Sequence, residues 1–171
     1  MKANRNKESL LTQAQVWKLF NYDPHTGLLT RLTRASTRAR IGDVVSNVDN
    51  RGYLRVKING FCYSAHRLIY FYVKGMWPVD QIDHANGVKT DNRWCNLREA
   101  TQSQNNANRG RARNNSSGFK GVDLLYSNFW RAMIKANKKN KVLGYFDCPA
   151  AAHFAYLIAA DKAFGKFARA A

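Results

Sequence analysis

Between residues 10 and 22, apolar Leu11, Val16, Leu19 and Phe20 recur at a spacing that predicts a short amphipathic helix. The run Asp23-Pro24-His25-Thr26-Gly27 then predicts a turn. Further on the period changes to two. Leu54, Val56 and Ile58 alternate with Tyr53, Arg55 and Lys57, and Asn59-Gly60 is a strong hairpin signal before Phe61-Cys62-Tyr63 returns. The segment AHRLIYFYVK, residues 65–74, is apolar enough for a buried helix or strand, with its aromatics in the core.

The end of the chain is patterned again. Residues 118–171 predict the order strand, strand, strand, helix. In Phe129-Trp130-Arg131-Ala132-Met133-Ile134-Lys135, Trp130, Ala132 and Ile134 share one face, suited to packing on a helix. Arg131, Met133 and Lys135 share the other. Lys138-Lys139-Asn140-Lys141 reads as a basic turn into Val142-Leu143-Gly144-Tyr145-Phe146. Asp147 is the expected cap of a final helix with Pro149 in its first turn and Gly165 at its end. Ala151, Phe154, Ala155, Ile158 and Ala159 are expected along one side of it.

Between these patterned regions, residues 82–109 offer little apolar surface: IDHANGVKTDNRWCNLREATQSQNNANR holds an Asp-His pair and recurrent asparagine. A short strand ends at His84, Asn86-Gly87 turns the chain, and residues 96–100 return as a second strand. Thr101 and Gln104 form a capping box, which puts Asn105 in the first turn of a helix. Residues 105–118 lack apolar side chains other than alanine and carry Arg109, Arg111 and Arg113. A solvated tether and a phosphate-tracking arm are compatible readings of that segment. The division expected is residues 1–108, a linker over 109–117, and a module over 118–171.

Charge narrows the class of partner. Lys and Arg number 28 against 11 Asp and Glu, a formal +17 that attracts polyanions, nucleic acid first among them. Neither half is neutral: residues 1–108 hold 16 basic and 8 acidic side chains, and residues 109–171 hold 12 and 3. A membrane surface is disfavoured, because no long helix pairs a basic face with an apolar one, and no apolar run approaches the roughly 20 residues of a membrane span. Met1-Lys2-Ala3-Asn4-Arg5 leads into polar residues, which predicts no signal peptide. Cys62, Cys95 and Cys148 form no C-x-x-C pair, so no structural zinc is expected, and the setting expected is intracellular.

On the strand-loop-strand-helix plan, Asp83 and Asn105 converge. One carboxylate and one amide oxygen make a hard site suited to Mg²⁺ or Mn²⁺. His84, with an ordinary pKa near 6.5, can take a proton from water. Metal, base and a phosphate-attracting surface together suit phosphodiester hydrolysis.

These residues resemble the HNH endonucleases, in particular the phage and homing types in which asparagine replaces the last histidine. Asp83-His84, Asn96 in Asn96-Leu97, and Asn105 in Gln104-Asn105-Asn106 carry the likeness. The segments Tyr22-Asp23-Pro24-His25-Thr26-Gly27, Arg51-Gly52-Tyr53-Leu54-Arg55-Val56 and His66-Arg67-Leu68-Ile69 extend it over residues 17–109. The resemblance implies His84 as general base, Asp83 and Asn105 as metal ligands, and Asn96 as the residue that pins the base-carrying loop. Asn92 then organises the loop rather than binding the metal, and His66 is a structural or phosphate-contacting residue.

Residues 118–171 resemble the Apetala-type DNA-binding domain through Gly121-Val122, Trp130-Arg131-Ala132, Leu143-Gly144-Tyr145-Phe146 and the Ala-rich helix. The family's first-strand arginines correspond here to Asp123 and Leu125, so its base read-out does not carry over. Arg67, Arg93, Arg109, Arg111, Arg113, Arg131, Lys135 and Lys141 are the candidate contacts to double-stranded DNA. The fold implied is α+β: a ββα-metal nuclease core with N-terminal strands, then a three-stranded antiparallel sheet on one helix. The resemblance implies a metal-dependent DNA endonuclease acting in the cytoplasm of a bacterial host cell. The rival reading is a non-catalytic DNA-binding regulator with a relic nuclease core.

Overall fold

Thr12 opens the first helix with a reciprocal cap: its hydroxyl accepts from Gln15 N, and the Gln15 side chain accepts from Thr12 N at 2.8 Å. The computed structural model describes residues 7–112 and 114–169; Arg113 lies outside them. The chain divides into two compact units, Met1–Glu99 and Ala100–Ala171. This division falls ahead of the basic linker, so the helix that carries Asn105 groups with the second unit. The mixed α+β class stands.

In the first unit, α1 (Gln13–Leu19) leads into β1 (Phe20–Tyr22), which pairs antiparallel with β2 (Leu29–Arg31) around the expected turn. β3 (Arg55–Ile58) pairs antiparallel with β4 (Phe61–Ser64). The two residues joining them, Asn59 and Gly60, have φ of 49° and 85°, the left-handed pair that a tight hairpin requires. Val56 and Ile58 are buried and Lys57 is exposed, as the alternation predicts. Residues 65–74 form a helix, α2 (Ala65–Lys74), stopped by Gly75 in the left-handed region. Its Leu68 and Ile69 are fully buried, each contributing about 1.5–3 kcal/mol of hydrophobic stabilisation. Phe71 stacks on Trp77 with ring centroids 4.4 Å apart. β5 (Gln81–His84) and β6 (Leu97–Ala100) form a further two-stranded sheet, with a short 3₁₀ turn, Trp94–Asn96, just before β6. Ile82 and Leu97 join it to the core of the unit.

In the second unit, α3 (Gln102–Asn108) has the capping box of Thr101 and Gln104. β7 (Val122–Tyr126), β8 (Phe129–Ala136) and β9 (Lys139–Phe146) form an antiparallel sheet in that order, and α4 (Pro149–Phe164) packs on it. Ala132 and Ile134 face the helix, as the alternation predicts.

Three expectations need correction here. The buried stripe of α4 is Ala152, Tyr156 and Ala160, one residue round from the side expected; Phe154 and Ile158 are 64% and 57% exposed. A helix this rich in alanine has no unique apolar side, and one large aromatic, Tyr156, fixes its rotation. The cap is Cys148 and not Asp147, and its side chain makes no capping bond. The expected linker is also partly folded: Ser117 Oγ lies 2.8 Å from Val122 O, and Asn115 donates to Phe119 O at 3.0 Å.

Tyr156 sets a strict demand on β7's approach. Gly121 has φ of +76°, and a Cβ built there would come within 2.1 Å of the Tyr156 ring. Gly121→Ala is expected to destabilise the second unit by about 2–5 kcal/mol, from left-handed strain plus overpacking. Urea unfolding followed by near-ultraviolet circular dichroism checks this; an unchanged midpoint would refute the packing described.

Candidate active site

Two short strands carry the candidate chemistry. β5 ends on Asp83 and His84, 5% and 3% exposed, and β6 returns beside it with Ala85 N donating to Asn96 O at 2.9 Å. The loop between them is held by Asn96. Its Oδ1 accepts from Asn86 N at 2.9 Å, and its Nδ2 donates to Asp91 O at 2.7 Å. One amide thus ties the start and the middle of the loop to the start of β6. Within the loop, Asn86 Nδ2 donates to Asp91 Oδ2, and Arg93 holds the Asp91 carboxyl down at about 2.

The imidazole of His84 is oriented by Asn92, which is 2% exposed. Nε2 of His84 lies 3.0 Å from Asn92 Oδ1. An amide oxygen only accepts, so Nε2 carries the hydrogen and Nδ1 keeps the lone pair that a general base needs. Burial lowers the imidazole's affinity for a proton, and the Asn92 bond and the Asp83 charge partly restore it. Asn92 therefore acts on the histidine itself as well as on the loop.

Distant residues position Asn92. Tyr22 at the end of β1 donates its hydroxyl to Asn92 O at 2.8 Å, and Trp94 N donates to Pro24 O at 3.0 Å. Gly27, at φ +76°, closes the same turn against this segment; a Cβ there would come within 2.6 Å of the Asn92 carbonyl carbon. The N-terminal hairpin is thus a clamp on the residue that holds His84. Nothing local in the sequence signals the Tyr22 bond, which spans 70 positions.

Asp83 is ion-paired. Arg98 Nε donates to Asp83 Oδ2 at 2.9 Å, with the two side chains 18% and 5% exposed. On β6, Arg98 was not singled out by its sequence context. Asn105 lies on α3, in the second unit.

The basic candidates fare differently. Arg67, expected at a phosphate, is turned to the protein: it pairs with Glu8 through Nε and Nη2 at 3.0 and 3.2 Å and donates to Asp80 O and Pro78 O. Arg93 pairs with Asp91 at the surface. Arg131 pairs with Asp123 across β7 and β8. Lys135 is exposed on the outer sheet face, whereas Lys141 stands opposite Ile134 in the register and so on the helix side. Arg109 and Arg111 are exposed, and Arg111 also donates to Gly118 O at 3.3 Å.

His66 is a buried neighbour of His84. It is 8% exposed, with its ring 5.2 Å from His84 and 5.0 Å from Tyr53, and its Nδ1 has no hydrogen-bond partner among the described residues. Burial, and then the neighbouring His84, push its pKa down to about 3. An unfolded histidine takes up a proton near pH 6.5, whereas this one stays neutral until about pH 3. Its contribution to stability is therefore complete above pH 6.5 and is lost towards pH 3, at about 1.4 kcal/mol per pH unit. His66→Phe, which keeps the ring contacts, is expected to flatten the fall of the urea midpoint between pH 6 and 4. An unchanged slope would refute this reading.

Residues 63–107 match the family model described as HNH endonuclease. That segment covers the end of β4, α2, the β5–β6 sheet and most of α3, well under half of the chain, and agrees with the likeness drawn from Asp83, His84, Asn96 and Asn105. No curated protein matches the sequence. A solved structure titled "DNA binding and cleavage by the HNH homing endonuclease I-HmuI" is 22% identical over 52% of this chain, with a TM-score of 0.37. The chain spans half the length of that protein, and nothing below is built on the likeness. No helix among the described residues is long and apolar enough to cross a membrane. Over residues 63–107, then, the chain is similar to the HNH endonucleases, a family of nucleases acting on DNA.

Proposed function

We propose that the chain is a metal-dependent endonuclease of the phage or homing type that hydrolyses double-stranded DNA, with His84 as general base. The observation that carries it is the buried His84 held at Nε2 by Asn92, next to the carboxylate of Asp83, within a segment that matches the HNH endonuclease model.

The donors suit a hard divalent cation. The resemblance implies a carboxylate oxygen of Asp83 and an amide oxygen of Asn105 as ligands, donor types that suit Mg²⁺ and Mn²⁺. Among the described residues no group of three or more His, Cys, Asp or Glu is placed to hold a metal. When bound, the cation would draw charge from the scissile phosphate and the departing oxygen. Arg98 orients the Asp83 carboxylate. His84 Nδ1 takes a proton from water, whose oxygen attacks phosphorus; the bond to the 3′ oxygen breaks and that oxygen takes a proton from a second water, leaving 5′-phosphate and 3′-hydroxyl ends. Asn96 and Asn92 keep loop and imidazole in place during the transfer.

The second unit would supply Apetala-type contact to the duplex, with Lys135, Arg109 and Arg111 as the exposed cations. The proposed setting is the cytoplasm of a bacterial host cell.

The metal assignment is tested by titrating Mg²⁺ in a plasmid-cleavage assay with Asp83→Asn and Asn105→Ala. Each is expected to raise the concentration for half-maximal rate by about 10–100-fold. An unchanged Mg²⁺ requirement would remove that residue from the site.

A further inference from the structure

The outer face of the β7–β8–β9 sheet carries a column of three aromatic rings. Tyr126 stacks on Phe129 with centroids 4.9 Å apart and an 11° interplanar angle, and Phe129 stacks on Tyr145 at 5.8 Å and 11°. Register explains the column: Tyr126 stands opposite Phe129, Arg131 opposite Tyr145, and Phe129 and Arg131 share one face of β8. The two terminal rings are 65% and 55% exposed. Arg131 and Lys135 lie on the same face, together with Asp123, which pairs with Arg131 and leaves Lys135 as the unmatched cation of the two among the described residues. Such a column is a short stack already assembled on a rigid sheet, with one ring face outward at each end.

We infer that this column binds unpaired bases of DNA, which extend the stack at Tyr126 or Tyr145 while the surrounding cations follow the phosphates. Every base has a π-face, so stacking of this kind tolerates any sequence. In a duplex those faces are covered by neighbouring base pairs, and only edges and the terminal pairs are presented. The occupant that fits is therefore a single-stranded stretch, such as an end, a flap or a displaced strand. Charge favours it over a second copy of the chain. Residues 109–171 carry 12 basic and 3 acidic side chains, so two copies repel while a polyanion is drawn in. The choice of DNA over RNA rests on the nuclease reading above; the stacking itself does not.

The test measures binding in EDTA, where cleavage plays no part, so failure of the nuclease reading leaves it intact. Fluorescence anisotropy of the full-length chain is recorded with a labelled single strand of about 16 nucleotides, the same-length duplex, an abasic phosphodiester strand and an RNA strand. Wild type is expected to bind the base-bearing DNA strand at least about tenfold more tightly than the abasic one. Tyr126→Leu/Tyr145→Leu should remove that advantage, change duplex affinity by less than about twofold and leave the salt slope unaltered, since no charge is lost. Both positions are more than half exposed, so the fold is expected to survive, and thermal melting confirms it. Equal binding of base-bearing and abasic strands by wild type would overturn the inference without any variant. So would a selective preference for RNA, an equal loss on single strand and duplex, or a variant altered only in self-association by sedimentation.

Discussion

Gly27→Ala is expected to cost the first unit about 2–5 kcal/mol and to slow DNA cleavage by about 10–100-fold, although Gly27 is no part of the chemistry. Two effects combine. A left-handed φ of +76° penalises any side chain, at about 1–2 kcal/mol. The added methyl also meets backbone, not a flexible side chain: the Arg93 nitrogen and the Asn92 carbonyl carbon. That backbone cannot give way without carrying Asn92 with it, and Asn92 holds His84. Gly60→Ala is the control, since φ there is +85° but a Cβ meets nothing within 4 Å. It should lose only the conformational contribution and keep full activity. Urea midpoints and plasmid-cleavage rates of the two variants check this. If Gly27→Ala behaves like Gly60→Ala, the clamp is not real.

The second large effect is at His84. Removing a general base slows proton transfer by about 10²–10⁴-fold. Alanine there would also leave Asn92 buried without its partner, which confuses chemistry with packing. His84→Gln is the sharper variant, because its amide can still donate to Asn92 Oδ1 yet holds no base. It is expected to lose cleavage by the same factor and to bind DNA within about twofold of wild type, with the same salt slope. Measured by single-turnover cleavage and anisotropy, wild-type turnover in His84→Gln would end the assignment. Asp83→Ala is a poorer test than it looks from sequence. It strands Arg98, 18% exposed, without its carboxylate, and breaking one side of a buried pair costs about 3–5 kcal/mol.

Short-range signals were the legible part of this chain. Thr101 and Gln104 mark the start of α3, and Asn59-Gly60 marks a hairpin, because a cap or a two-residue turn is complete within four positions. The alternation over residues 129–135 reads correctly because β8 is the central strand and one of its faces is covered throughout. Lys141 was misplaced for a local reason. The β8–β9 turn is only Asn137 and Lys138, both with positive φ, so Ala136 pairs with Lys139 and Lys141 falls opposite Ile134. Reading residues 138–141 as the turn leaves Lys141 outside the strand, with no partner to fix its face. Of the candidate site, Asp83, His84 and Asn96 could be read from their motif. Arg98 could not, and the segment from Tyr22 to Gly27, though part of the family likeness, reaches Asn92 through packing that no periodicity or spacing announces.

The central claim is tested most directly by incubating supercoiled plasmid with the purified wild-type chain in Mg²⁺, with and without EDTA. The account predicts nicked or linear product with Mg²⁺ and none with the chelator. Intact supercoiled plasmid in both lanes, from protein that still binds DNA, would contradict it.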